Sequence, residues 1–211
     1  MSIIDLDKEI ILTINSWHND FFDNFMWNYS QKWTWLGLYI LLIGYLIYTH
    51  RKNSIWLFLA IGAAFGLADW GSHELKHIFM RFRPAQDPDI ASMIHIVNDY
   101  RGGKFGFPSS HACDSFALAT LVSLINRDKI VTTTMVLWAT LNAYSRMYLG
   151  VHYLGDILTG MLLGILIATI CYLPLYYTKK SEPIAQQTNR EKARWSLPTM
   201  WILTMIVLCF I

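Results

Sequence analysis

Leu154–Tyr177 reads LGDILTGMLLGILIATICYLPLYY, and Asp156 is its one charged residue. A bilayer requires roughly 20 predominantly apolar residues of a spanning helix. The stretch therefore predicts a transmembrane helix with an acid in its first turn. Outward from it, the same reading applies to Ser54–Phe79 and to 33–49, 112–125, 130–147 and 197–211, of which 112–125 and 197–211 are short. The expected fold is all-α: a polytopic membrane protein with six transmembrane helices. Residues 1–30 differ from these. Ile3, Leu6, Ile10, Ile14, Trp17, Phe21 and Phe25 form an apolar stripe at helical spacing, interleaved with Asp5, Asp7, Lys8, Glu9, Asp20 and Asp23. The charges forbid insertion into hydrocarbon, so an N-terminal amphipathic helix lying in the interface is expected.

Apolar residues make up 54% of the 211-residue chain and charged residues only 15%, far from a soluble average. The net charge of +2 is too small to imply a nucleic-acid partner, and Lys and Arg stand in loop clusters instead of a continuous stripe. Cys113, Cys171 and Cys209 lie in apolar segments and read as small core residues, not as a disulfide framework or zinc knuckle. The first residues lack the basic region of a cleaved signal peptide, so no processing is expected. A single domain over 1–211 is predicted: the interfacial helix in 1–30, a helical core over 33–177, a polar linker over 178–196 and a last span over 197–211. Within the linker, 179–194 is the one polar stretch long enough to look mobile.

With six spans, the loops holding Arg51 and Lys52, Arg127 and Lys129, and Lys179, Lys180, Arg190, Lys192 and Arg194 fall on one side. They contain nine of the 17 Lys and Arg residues, which marks that side as cytoplasmic under the positive-inside rule. Lys76, Arg83, His111, Arg146, His152 and Asp156 then meet at the opposite side. The expected setting is a bacterial inner (cytoplasmic) membrane with these residues facing the periplasm or the outside.

The six belong to three segments: Lys76 through Arg83-Pro84, Pro108-Ser109-Ser110-His111, and Ser145-Arg146 with His152 and Asp156. Three basic side chains converging at membrane depth call for an anion. Arg83 and Arg146 suit phosphate oxygens bidentately, and Lys76 supplies a point charge. Pro84 disfavours helix and makes Arg83 a loop residue held by a rigid turn. Ser109 or Ser110 caps the third span, leaving free amides for an anion. His111, in that first turn, is placed to protonate a leaving oxygen. His152 and Asp156 are four apart, which on a helix puts them on one face; Asp156 would fix the tautomer of His152 and leave its other nitrogen free to attack. Taken singly, His111 reads as an interfacial histidine and His152–Asp156 as a staple at a helix end. Arg81 reads as an interfacial anchor. Asp114 either orients His111, pairs with an arginine or answers the helix dipole. Asp69, His73, Glu74 and His77 flank Lys76 as further candidates, and the glycine-bearing stretch 85–107 reads as a flexible wall where head-group selection would occur. Metal catalysis is not expected, because Lys76, Arg83 and Arg146 would repel a divalent ion and no HExxH or carboxylate cluster occurs.

In these segments the chain resembles the type 2 phosphatidic acid phosphatase family of membrane lipid phosphatases, whose signatures are KxxxxxxRP, PSGH and SRxxxxxHxxxD. The resemblance covers about residues 33–177. It implies that His152 is the nucleophile, Asp156 its orienting carboxylate and His111 the general acid, with Lys76, Arg83, Ser109 and Arg146 around the phosphate; Ser110 joins them as a phosphate-binding candidate, and no cofactor or metal is expected. Ser110 departs from the family pattern, standing where PSGH has glycine; it keeps the amide and adds a hydroxyl. The expected activity is hydrolysis of a phosphate or diphosphate ester of an envelope lipid, undecaprenyl diphosphate or a lipid A phosphate. Phosphatidylglycerol phosphate and phosphatidate are the alternative substrates, and a non-catalytic anionic-lipid binder or transporter is the alternative of another class. The oligomeric state is not legible.

Overall fold

The computed structural model describes residues 2–182, 191 and 193–210. Positions 183–190 and 192 of the linker expected to be mobile lie outside the described residues. Among the described residues the chain forms eight α-helices: α1 (Ile3–Asn15), α2 (Asp20–Tyr29), α3 (Leu36–His50), α4 (Ser54–Phe79), α5 (Ser110–Asn126), α6 (Lys129–Tyr148), α7 (Leu154–Tyr177) and α8 (Ser196–Leu208). Each predicted span falls on one of the last six. Two helical stretches, Lys32–Phe79 and Leu154–Tyr177, are long and apolar enough to cross a membrane. The outward faces of α3, α7 and α8 are apolar as well, with Ile40, Ile43 and Ile47, Leu158, Leu162 and Leu166, and Ile202, Leu203 and Ile206 all exposed. In water such faces would have to be covered; hydrocarbon accepts them.

Helix α5 is the central element, packed against α4, α6 and α7 and buried along most of its length. Its closest neighbour is α7. At Gly160 and Gly164 a Cβ would stand 2.4 Å from the Ser109 carbonyl oxygen and 2.2 Å from that of Cys113. Glycine therefore lets the two backbones touch, as small residues do between membrane helices. Helices α3 to α7 run alternately up and down: α3 meets α4 through a single turn at Arg51–Asn53, Asp128 caps α6 two residues after α5 ends, and the long stretch 80–109 returns the chain from the end of α4 to the start of α5, where Lys76 bonds Ser110. This course brings the end of α4, the start of α5, the end of α6 and the start of α7 to one end of the bundle.

The N-terminal segment departs from expectation in one way. It is two helices, because Ser16 ends α1 and the Asn19 side chain accepts from the Phe22 amide to start α2 afresh. The face of α1 packed on the bundle carries Asp7, Ile11 and Asn15, while Ile3 and Trp17 of the apolar stripe remain 87% and 61% exposed. Asn15 donates to the carbonyls of Tyr148 and His95, and Lys8 pairs with Asp87 and Asp89. Polar contacts and the buried Ile11 thus fasten α1 to the bundle, while Ile3, Ile4 and Leu6 face outward.

The stretch 85–107, expected as a flexible wall, is pinned to the fold. Ile90, Ile94 and Val97 are buried, His95 pairs with Asp23 at 2.7 Å, and Phe82 and Phe105 form an isolated antiparallel bridge. Its apolar residues recur too irregularly for a helix, and they anchor it as a cap between the N-terminal helices and the bundle end.

Candidate active site

All eight residues predicted for the site lie at the end of the bundle where α4, α6 and the starts of α5 and α7 meet. Lys76 is in the last turn of α4, and Arg146 in the last turn of α6. Ser109 caps α5 by accepting from the Ala112 amide at 3.4 Å, followed by Ser110 and His111 in the first turn. Arg83 lies in extended backbone directly before Pro84, and its amide donates to the Lys104 carbonyl at 3.2 Å.

His152 and Asp156 meet at 3.3 Å between Nδ1 and Oδ2, and both are buried. The expected helical i, i+4 geometry is not the cause. His152 precedes α7, with Tyr153 at the N-cap, and Asp156 occupies the third helical position. From there its Oδ2 accepts from the Tyr153 amide at 3.0 Å, as the acid of a capping box does, and the same fold-back carries the carboxylate to His152. The carbonyl of Asp156 meanwhile accepts from the Ser109 amide at 3.0 Å, which ties the starts of α5 and α7 together.

The tautomer of His152 follows from its neighbours. Arg83 Nη1 lies 2.8 Å from Nε2, and a guanidinium only donates, so Nε2 holds the lone pair and Nδ1 carries the proton toward Asp156. Burial, with Arg83 and Arg146 close by, holds the His152 pKa well below the ordinary imidazole value. A neutral ring with a lone pair on Nε2 is a nucleophile, and Arg83 marks the place where an anion would sit.

Among the described residues none of Lys76, Arg83 and Arg146 pairs with a carboxylate. Lys76 Nζ donates to Ser110 Oγ at 2.5 Å and to the Ser72 carbonyl at 3.4 Å. Arg83 also reaches the Val151 carbonyl at 3.1 Å. Arg146, 3% exposed, donates to the Tyr100 hydroxyl at 3.2 Å and lies over that ring. The Nε atoms of Arg83 and Arg146 are buried without a partner. Unpaired buried cations are costly, by several kcal/mol each, and a phosphate would supply the missing acceptors. His111 is half-buried beside them, and its ring makes no hydrogen bond among the described residues. Ser110, the departure from the family pattern, places its added hydroxyl 2.7 Å from Ser72 Oγ and on Lys76.

Arg81 is not a surface anchor. Its Nη1 donates to Asp156 Oδ1 at 3.0 Å and its Nη2 to Asp7 Oδ2 at 2.7 Å, while Asp7 also accepts from the Gly155 amide at 3.1 Å. Gly106 is another residue that sequence reasoning passed over: a Cβ there would lie 2.9 Å from Asp156 Oδ2 and 3.0 Å from Arg83 Cγ. Asp114 bonds neither His111 nor an arginine among the described residues. Asp69, His73, Glu74 and His77 are exposed and stand apart from the cluster.

Residues 32–180 match the family model described as PAP2 superfamily. The lipid A 4′-phosphatase of Bacteroides thetaiotaomicron is 36% identical over 163 residues, covering 76% of this chain and 72% of that protein. The protein of the same name from Porphyromonas gingivalis is 32% identical over 179 residues, 84% of this chain and 76% of its own length. The crystal structure of Aquifex aeolicus LpxE superposes with a TM-score of 0.62 at 25% identity, covering 82% of this chain and 99% of that one. A transmembrane PAP2-type phosphatidylglycerolphosphate phosphatase from Bacillus subtilis shares the fold, with a TM-score of 0.64 at 21% identity over 88% of this chain and 89% of that one. The chain belongs to the PAP2 superfamily and is a membrane lipid phosphatase of that type.

Proposed function

We propose that the enzyme hydrolyses a phosphate monoester on the sugar of lipid A through a phosphohistidine at His152, without a metal ion. The observation that carries this reading is the set of three cations, unpaired with any carboxylate among the described residues, around the lone pair of His152 Nε2. Phosphate oxygens take the free N–H groups of Arg83, Arg146, Lys76 and the start of α5. Arg83 turns from the ring to the phosphate and exposes Nε2. The lone pair forms the N–P bond as the P–O bond to the sugar breaks, and His111 gives its proton to the departing oxygen. Asp156 holds the Nδ1 proton throughout and steadies the positive charge on the ring. In the second half, His111 takes a proton from water, the hydroxide oxygen attacks phosphorus and the N–P bond breaks. The cations stabilise the charge that spreads over the equatorial oxygens. They would also repel a divalent ion, which favours metal-free chemistry.

The sugar substrate rests on the names of the relatives, and undecaprenyl diphosphate, phosphatidylglycerol phosphate and phosphatidate are outcomes of the test. In this reading α3 to α8 are six spans of one domain, α1 and α2 lie along the interface, and the site faces the periplasm across an inner membrane. The nine basic residues at the far loops support that orientation. The test is phosphate release by purified protein in excess EDTA from each of the four lipids, with His152→Ala alongside. Release from lipid A that survives EDTA and disappears in His152→Ala supports the proposal. Loss in EDTA overturns the metal-free mechanism, preference for another lipid overturns the substrate, and binding without release turns the protein into a carrier.

A further inference from the structure

Lys76 and Arg83 are held by the bundle end itself, through Ser110 and the carbonyls of Ser72 and Val151. Arg146 is held differently. Its side chain is buried, and the one hydrogen bond its guanidinium makes among the described residues runs to the Tyr100 hydroxyl at 3.2 Å. The Tyr100 ring also covers the guanidinium, whose Cζ lies 5.5 Å from the ring centre. Tyr100 belongs to none of the three signature segments; it comes from the cap between α4 and α5. The backbone just before it is unusual. The Tyr100 amide donates to the Val97 carbonyl at 3.1 Å and closes a turn whose central residues, Asn98 and Asp99, have φ of 52° and 55°. Two left-handed residues in succession are the pattern of a type I′ turn, which asparagine and aspartate tolerate better than other side chains. Both residues are exposed, so packing of their own side chains does not impose the conformation. Anchors stand on either side of the turn. Ile94 and Val97 are buried before it, and after it Arg101 donates to the Ala85 carbonyl at 3.1 Å while Trp27 packs edge-on to the Tyr100 ring at 5.5 Å.

We infer that Tyr100 is the positioning residue of Arg146 and that the cap is thereby part of the phosphate clamp. The inference rests on the reading in which Arg146 binds phosphate. A guanidinium carries its N–H groups in a rigid plane. Tyr100 takes one of them and covers one face, which fixes the plane, while Nε is left without a protein acceptor. A carboxylate in the same place would neutralise the charge that the phosphate needs and would repel the phosphate itself. A phenol steadies the cation without either effect, through its oxygen and through the negative face of its ring. The left-handed turn is then strained backbone kept for aim: it bends the chain between two anchored segments so that Tyr100 meets Arg146. Arg146 serves the phosphoryl group, which every candidate lipid shares, so the effect of Tyr100 is blind to the lipid. Head-group selection by the same stretch would instead favour one lipid over another.

The test measures inhibition by inorganic phosphate, and kcat/KM on each lipid that is turned over, per mole of monodisperse protein. Tyr100→Phe keeps the ring and removes the hydroxyl. It is expected to weaken phosphate inhibition about tenfold, the scale of one hydrogen bond to a charged group, and to lower kcat/KM by a common factor on every lipid while thermal unfolding stays close to wild type. Asp99→Gly and Asp99→Val both remove an exposed carboxylate, but only valine opposes a positive φ. Glycine should leave phosphate inhibition within about twofold of wild type and valine should weaken it beyond that, a difference that the lost charge alone would not produce. Wild-type inhibition in Tyr100→Phe beside a crippled Arg146→Gln overturns this inference alone. Equal inhibition in the two Asp99 variants overturns the part given to the turn, and a loss confined to one lipid overturns the phosphate clamp in favour of head-group selection. If Arg146→Gln itself leaves release and inhibition unchanged, the phosphate reading of Arg146 falls and this inference with it.

Discussion

Replacing Arg81 by Gln should cripple the enzyme although Arg81 does not reach the phosphate site. Its guanidinium bridges two carboxylates, Asp156 Oδ1 at 3.0 Å and Asp7 Oδ2 at 2.7 Å, and the Asp156 side chain is fully buried. Removing one partner of a buried pair costs about 3–5 kcal/mol because the other charge stays behind. The Arg81 side chain is 26% exposed, so solvent shares the load and the expected cost is about 2–3 kcal/mol. For a chain of this length that corresponds to a fall in melting temperature of roughly 5–10 °C. Activity falls for a separate reason. Asp156 keeps Oδ2 on the Tyr153 amide and His152 Nδ1 only while Oδ1 is held. Freed, the carboxylate rotates or takes a proton, and the tautomer that leaves Nε2 unprotonated is no longer enforced. Loss of the orienting acid in a comparable triad costs about 10⁴. With the acid present but unsteady, kcat should fall about 10–100-fold, with KM changed less than threefold. Arg81→Lys keeps the charge but cannot bridge both acids and should recover only part of the loss. Asp7→Asn should cost less kcat, and its effect should vanish in the Arg81→Gln background. The assays are steady-state phosphate release and thermal unfolding in detergent. If Arg81→Gln keeps kcat within twofold, or Asp7→Asn and Arg81→Gln prove additive, the bridge has no part in positioning His152.

Burial and the neighbouring guanidinium groups hold His152 neutral, so kcat/KM should keep its nucleophile at neutral pH and show its acid limb below the ordinary imidazole value of about 6.5; Arg83→Gln, measured on residual activity, should move that limb upward. The same shift makes the unfolded chain bind more protons than the folded one below that pH, so this residue's contribution to stability rises with pH through that window and is lost on acidification. Gly106→Ala puts a Cβ 2.9 Å from Asp156 Oδ2 and 3.5 Å from His152 Nδ1, and a kcat loss of more than tenfold is expected, with a stability cost of about 1–3 kcal/mol. A kcat near wild type would show that the carboxylate can move aside freely. Ser110→Ala removes the acceptor that holds Lys76 Nζ at 2.5 Å; inorganic phosphate should then inhibit about tenfold more weakly, near 1.4 kcal/mol, and unchanged inhibition would mean that Lys76 needs no such steadying.

What could be read from the sequence, and what could not, divides along a physical line. The helices from α3 to α8 were legible because apolar runs of sufficient length mark them locally, and the grouping of the eight candidate residues because each stands within a short signature at a helix end. The order of the helices then put those ends together without any long-range information. The N-terminal segment shows the opposite case. Hydrophobic spacing identified a helix with an apolar stripe, but which face it buries depends on partners far away: Asp7 binds Arg81 and Gly155, and Asn15 binds Tyr148 and His95. No period in residues 1–30 encodes such contacts. The His152–Asp156 spacing was right for a reason other than the one it suggested, since a four-residue interval fits both a helical face and a cap fold-back, and only the backbone at Tyr153 distinguishes them. Arg81 was misread because an arginine at a membrane interface has an ordinary explanation ready. Its true partner set joins the first helix of the chain to the last helix of the site. Docking of α1 and order at His152 are thereby linked through a single guanidinium, and a change in residues 1–15 that lifts α1 from the bundle should reach the nucleophile by that route.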